Sequence, residues 1–228
     1  MTTATLSTLL RRAEDLYRDL RLGAVREWKQ RTAGLAIGYL PVYVPREMLH
    51  AMGVLPVGLM GAGEDLEIIR GDAFYQSYIC HLPRSTIEMG LNGSLDCLDG
   101  VLFPATCDVI RNLSGMWKMQ FPDKYARYVD VPQDFDPALG GAFYRSELED
   151  IAGALEERGA RRLQPMALRA AIAVYNENRA LVDGLYALRQ VEPWRVPTGE
   201  LYLLLRAGLV LPVEEHSAML RDYLVAVA

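Results

Sequence analysis

The sequence predicts an α/β fold, a parallel sheet flanked by helices, followed by an all-helical C-terminal portion. Three observations carry that expectation. Short apolar runs without polar alternation recur in the first half: GLAIGYL at 34–40, LPVGL at 55–59 and LDGVLF at 98–103. Helical patterns separate them. After Asp136-Pro137 such runs stop, and apolar residues recur only at helical spacing. Strands covered on both faces need no alternation, which is the signature of a parallel sheet sandwiched by helices. The expected division is therefore 1–136 for the α/β part and 137–228 for the helical part.

Each element follows from local chemistry. Leu6, Leu9, Leu10, Ala13, Leu16, Tyr17 and Leu20 line one helical face and predict a single amphipathic helix over 3–31. The strand at 34–40 ends at Pro41. A helix follows over 45–52, with Pro45 at its first position and Gly53 as its stop. The strand at 55–59 runs into Gly61-Ala62-Gly63, which reads as a turn; no GxxxxGK[ST] occurs in the sequence, so no P-loop is present. After 98–103 comes a helix over 107–119. A fourth strand at 127–131 carries Arg127 and Asp130, which suit a sheet edge. Ser146 and Glu149 read as a capping box opening a helix to about 157. Ala170, Val174, Leu181 and Leu185 place a helix over 166–190, and two more are expected at 198–207 and 212–226, where Glu214 and Glu215 complement the dipole. Tyr175, Tyr186 and Trp194 are expected in the core of this half. The pattern over 220–228 carries no stop signal, so a longer chain is expected.

Charge and composition exclude several classes of function. The 228 residues hold 24 Lys+Arg against 29 Asp+Glu, a net charge of −5, and no basic stripe, which argues against a nucleic-acid partner. With 51% hydrophobic residues, no apolar run approaches the ~20 residues of a membrane helix. The opening MTTATLSTLLRRAEDLYRDLR has no apolar stretch behind its charges, so it reads as a helix and not a secretory signal, and a cytoplasmic location is expected.

Three cysteines in a reducing compartment are metal ligands, reactive thiols or small buried hydrophobes. Cys107 is expected just beyond a strand and at a helix start, where ligands bind in open α/β sheets and where negative charge is favoured. The alternative for it is plain packing. Asp108 could cap that helix. Cys80 lies in another segment and forms no local CxxC; Cys97, before a strand, reads as structural. A cluster usually takes four ligands, so these cysteines alone would not complete one. His50, His81 and His216 lack metal-ligand spacing. Arg111, Lys118, Lys124 and Arg127 form a locally basic stretch that suits either an anionic ligand such as coenzyme A phosphates or a solvated face. Glu47 reads as a first-turn carboxylate complementing a helix dipole, with an active-site acid as the alternative.

Four segments carry a resemblance: 38–48 (GYLPVYVPREM), 75–90 (YQSYICHLPRSTIEMG), 99–117 (DGVLFPATCDVIRNLSGMW) and 173–179 (AVYNENR). Together they resemble the 2-hydroxyacyl-CoA dehydratase and benzoyl-CoA reductase superfamily, most of all the gamma-type (C) subunits of its ATP-dependent benzoyl-CoA reductase branch. The resemblance implies that Cys80 and Cys107 match cluster cysteines, while Cys97 matches none. It implies a [4Fe-4S] cluster whose ligation is shared with residues beyond this chain, and a second α/β lobe. It further implies a homologous cluster-bearing subunit, ATP-hydrolysing electron-activating subunits, reduced ferredoxin upstream, and benzoyl-CoA or a related acyl-CoA as substrate. The activity implied is reduction of the aromatic thioester to a cyclic dienoyl-CoA, an oxidoreductase reaction that demands the low potential thiolate-ligated clusters can reach. A 2-hydroxyacyl-CoA dehydratase component, or a non-catalytic electron-relay or assembly subunit, is the alternative.

Overall fold

The computed structural model describes residues 5–63 and 65–227. Among them, β1 (Ala36–Tyr39), β2 (Leu55–Gly58), β3 (Gly100–Pro104) and β4 (Tyr125–Val129) form one parallel sheet in the order β2-β1-β3-β4. Gly38 sits beside Val57 on one side and Val101 on the other. Every residue of β1, β2 and β3 is buried, as their unbroken apolar runs require. β4 is an edge strand whose middle residues are only partly buried, which accommodates Arg127. β2 is the other edge, where Pro56 can lack its N–H. Just before β3, the Asp99 carboxylate accepts the Ala36 N–H (2.8 Å) and the Lys29 ammonium (2.7 Å), tying the amino ends of β1 and β3 together.

The helices are α1 (Leu6–Arg18), α2 (Gly23–Thr32), α3 (Arg46–Ala51), α4 (His81–Leu91), α5 (Asp108–Gln120), α6 (Gly140–Glu156), α7 (Pro165–Val191), α8 (Thr198–Ala207) and α9 (Val213–Val227). The single helix expected over 3–31 is two, and residues 3 and 4 of that expectation lie outside the described residues. The Asp19 carboxylate accepts the N–H groups of Arg21 (3.0 Å) and Gly23 (2.5 Å), and Leu22 turns into the left-handed region, so α2 starts in a new direction. Pro45 caps α3 from outside instead of opening it. The Ser146 capping box does not form, because α6 is already helical from Gly140. Asp136 starts it instead, its carboxylate accepting the Ala138 N–H (2.7 Å) and its carbonyl the Gly141 N–H (3.0 Å). α4 was not expected at all.

Three apolar cores organise the molecule. On one sheet face Val25, Ile87, Met89, Leu113 and Trp117 bring α2, α4 and α5 against the strands. On the other, Met48, Leu49, Ile151 and Leu155 bring α3 and α6. In the third, Leu9 and Ala13 of α1 pack with Leu185, Leu201, Leu204, Leu220 and Tyr223 of α7, α8 and α9. Tyr175 is buried as expected, but Tyr186 is half exposed and Trp194 is 71% exposed. Leu185 takes the inward position on α7, which turns its neighbour Tyr186 outward, and Trp194 lies in the α7–α8 connection. Among the described residues, no helix is long and apolar enough to cross a membrane.

Candidate functional site

The chain leaves β1 toward β2 and leaves β3 toward β4, so the two connections part between neighbouring strands and open a crevice at the carboxyl end of the sheet. Thr106 spans it, its hydroxyl 3.5 Å from the Pro41 carbonyl. Cys107 follows at once as the extended N-cap residue of α5, and its carbonyl accepts the N–H groups of Ile110 (3.1 Å) and Arg111 (3.2 Å). Asp108 makes no capping bond; the backbone of Cys107 does that work, which leaves the thiol free and exposed. Beside it, Cys107, Asp108, Arg111, Tyr128 and Phe143 line an open cleft of about 640 Å3.

Cys80 occupies the same position on α4: it is the N-cap residue, its side chain caps nothing, and its thiol is exposed. The segment that delivers it is clamped from α4 itself. Glu88, a buried carboxylate, accepts the N–H groups of Ile69 (3.0 Å) and Gly71 (2.7 Å). Arg84 donates to Asp72 (2.9 and 2.6 Å) and to the Ser77 carbonyl (3.4 Å). The Gly61-Ala62-Gly63 turn also leans on α4, with Gly61 at φ +69 and the Ala62 N–H 3.4 Å from the Ser85 hydroxyl. A Cβ at Gly61 would come within 2.4 Å of that oxygen, so the close approach needs glycine.

What links the two cysteines is Tyr75. Its side chain is buried, and its phenolic oxygen has no hydrogen-bond partner among the described residues. Burial first, and then the charges of Cys80 and of Cys107, together push the phenol up to about 12. Both sulfurs therefore lie within electrostatic reach of one buried hydroxyl, although residues 80 and 107 belong to separate stretches of the sequence. Sequence reasoning passed over Tyr75. Its place shortly before Cys80 was the available signal, but neither its burial nor its lack of a partner is legible locally.

The remaining candidates fall elsewhere. Cys97 is buried in the core at the amino end of β3, the far end of the sheet from Cys80 and Cys107, and burial pushes its thiol up. His50 reaches Glu214 (3.2 Å), His81 is exposed, and His216 is buried in the helical core. Of the basic stretch, Lys118 is exposed, Lys124 donates to the carbonyls of Asp96 (2.8 Å) and Leu98 (2.7 Å), Arg127 forks onto Glu147 (3.0 and 2.5 Å), and Arg111 stacks over Tyr128. Lys124 and Arg127 are thus taken up by structural bonds, and only Arg111 of the four lines the cleft beside Cys107. Glu47, in the first turn of α3, pairs with Arg179 on α7; burial works to raise its carboxyl, but the bond and charge of Arg179 outweigh it and hold the group below the usual range.

The donor chemistry fits a thiolate-bound cluster in kind. Two exposed sulfurs stand at helix starts, where positive dipole ends and free N–H groups favour an anionic group, and both act electrostatically on one unpaired phenol. In number it falls short, since no group of three or more Cys, His, Asp or Glu that could hold a metal occurs among the described residues. The other ligands would come from outside them.

The chain is similar to the C subunit of benzoyl-CoA reductase of Thauera aromatica, with 58% identity over 219 residues, 96% of this chain and 57% of that protein. It is 32% identical over 188 residues to the beta subunit of (R)-2-hydroxyglutaryl-CoA dehydratase of Acidaminococcus fermentans, covering 82% of this chain and 49% of that one. To the beta subunit of lactoyl-CoA dehydratase of Anaerotignum propionicum it is 27% identical over 204 residues, 90% of this chain and 54% of that one. The chain thus spans about half the length of the curated relatives it matches. Residues 41–228, which include Cys80, Cys107 and Tyr75, match the family model of the 2-hydroxyglutaryl-CoA dehydratase D-component, and the chain belongs to that family.

Proposed function

We propose that this chain is an iron–sulfur portion of an ATP-dependent reductase that dearomatises benzoyl-CoA to a cyclic dienoyl-CoA. The observation that carries this reading is the placement of Cys80 and Cys107 at two helix starts, both within electrostatic reach of the buried Tyr75 hydroxyl. The higher identity to the reductase relative, 58% against 32% for a dehydratase relative, favours reduction over dehydration.

In this reading Cys80 and Cys107 bind a [4Fe-4S] cluster together with ligands from beyond this chain. Such a group, when bound, supplies single electrons at low potential. The starts of α4 and α5 stabilise the negative charge on its sulfurs. Glu88 and Arg84 hold the 69–77 segment, and with it Cys80, in a fixed position. ATP hydrolysis is assigned to separate electron-activating subunits fed by reduced ferredoxin, as the family resemblance implies and as a sequence without a P-loop permits. The assembly, located in the cytoplasm, also includes a homologous cluster-bearing partner. Residues 1–136 form the cluster-bearing unit and 137–228 lead into a second lobe.

Iron and sulfide analysis of the complete, anaerobically purified protein tests the cluster. Iron in the wild type that is lost in Cys80→Ser and Cys107→Ser is the expected result; a complete protein without iron overturns the reading. Anaerobic assays with benzoyl-CoA and with a 2-hydroxyacyl-CoA then separate the reactions. A dienoyl product with stoichiometric electron consumption is expected, and dehydration with catalytic electrons would refute the reductase assignment.

A further inference from the structure

We propose that the Tyr75 hydroxyl donates a hydrogen bond to a sulfur atom of the group held by Cys80 and Cys107, and so raises the reduction potential of that group. This rests on the cluster reading above and adds to it a residue that holds no metal.

The Tyr75 oxygen is shut off from solvent and unpartnered, in a side chain only 9% exposed. Buried hydroxyls nearly always find a partner, and one that does not is a place to look for a ligand. A phenylalanine would fill the same space with no stranded atom. The described residues give the oxygen nothing to bond, whereas the sulfurs of Cys80 and Cys107 both lie within its electrostatic reach. A hydroxyl donates most strongly to an anionic acceptor, and the acceptor that two thiolates at helix starts imply is a cluster sulfur or a ligating sulfur. The donor is also fixed in place. Its segment is pinned on one side of Tyr75 by Glu88, through Ile69 and Gly71, and on both sides by Arg84, through Asp72 and Ser77. Reduction adds negative charge to the cluster, so a fixed donor stabilises the reduced form more than the oxidised one.

The test is an anaerobic redox titration followed by electron paramagnetic resonance, on the complete protein carrying Tyr75, Tyr75→Phe, or 3,5-difluorotyrosine in place of Tyr75. With Tyr75→Phe we expect undiminished iron and a midpoint potential shifted negative, the reduced-to-oxidised ratio at a fixed potential falling about tenfold, or about 59 mV for one electron. Difluorotyrosine keeps the shape and the O–H but is a stronger donor, so its midpoint should move positive. An iron-replete Tyr75→Phe protein with an unmoved or more positive midpoint overturns the donor while leaving the cluster standing. If Tyr75→Phe fails to fold or to hold iron, an unmoved midpoint in the difluorotyrosine protein overturns it equally. Absence of iron from all three proteins overturns the cluster and the donor together.

Discussion

His216 and Tyr75 are both buried polar side chains, one in the helical bundle and one at the carboxyl end of the sheet, and their surroundings differ completely. The Leu204 carbonyl accepts from His216 Nε2 (3.0 Å), which assigns the proton to that nitrogen and leaves Nδ1 to accept from Asn178 (3.0 Å); Asn178 also donates to the Ser217 hydroxyl (2.9 Å). The network closes on itself. Tyr75 closes on nothing, and two exposed thiols lie nearby. In the bundle the chain supplies the partners of its buried polar side chains, whereas at Tyr75 the described residues supply none. Trp117 sharpens the contrast. Its indole N–H is also unpaired, but it sits among the rings of Phe103 (5.9 Å) and Phe121 (4.5 Å) in an apolar core, where packing alone accounts for the side chain.

The largest effect should come from the thiols themselves. Cys80→Ser and Cys107→Ser should each weaken iron retention more than about tenfold, the lower bound for merely supporting residues, whereas Cys97→Ser should leave iron unchanged and only destabilise the core. Iron and sulfide assays read both, and iron loss confined to Cys97→Ser would break the comparison. In the bundle, Asn178→Ala strands the Ser217 hydroxyl and the His216 ring nitrogen and should destabilise the fold by about 2 kcal/mol in denaturant titration, with iron unaffected.

The same network sets a pH dependence. Burial holds the His216 imidazole below its ordinary value of 6.5, and the nearby Arg46 charge adds to this, while the Leu204 bond opposes it. A group depressed in the folded state contributes stability that is fully present above about 6.5 and is lost as the pH falls through the folded value, because only the unfolded chain takes up the proton readily. Midpoints of unfolding should therefore drop below that pH, and His216→Gln should flatten the drop. The smallest effect is expected from Tyr75→Phe in metal-free protein. Removing an unpaired buried hydroxyl should stabilise it by about 1 kcal/mol, the opposite sign to Asn178→Ala. A destabilised metal-free variant would indicate that the hydroxyl has a partner within the polypeptide after all.

Strands β1, β2 and β3 were legible because runs such as AIGY and GVLFP admit burial on both faces and little else. The helix start at Cys107 was legible for a related reason, since it ends such a run. α4 was not legible. Its sequence HLPRSTIEMGL carries Pro83, Ser85, Thr86 and Gly90, all poor in a helix interior. Local bonding and, at Gly90, tertiary packing make each tolerable. Pro83 falls in the first turn, where its missing N–H is no loss; Ser85 and Thr86 bond back to the carbonyls of His81 (2.9 Å) and Leu82 (2.7 Å); and a Cβ at Gly90 would meet the Trp117 ring at 2.8 Å. Because that helix went unread, so did the fact that Cys80 stands at a helix start just as Cys107 does.

The sequence by itself determined the layers, since hydrophobic periodicity is a local property that depends on which faces of an element can leave water. It also supplied the cysteines and, through resemblance, a chemistry for them. Only the tertiary structure decided which of them share a neighbourhood. Whether a thiol meets another thiol, or a phenol meets nothing, depends on the order of strands and on where their connections part, and spacing along the chain carries no record of that distance.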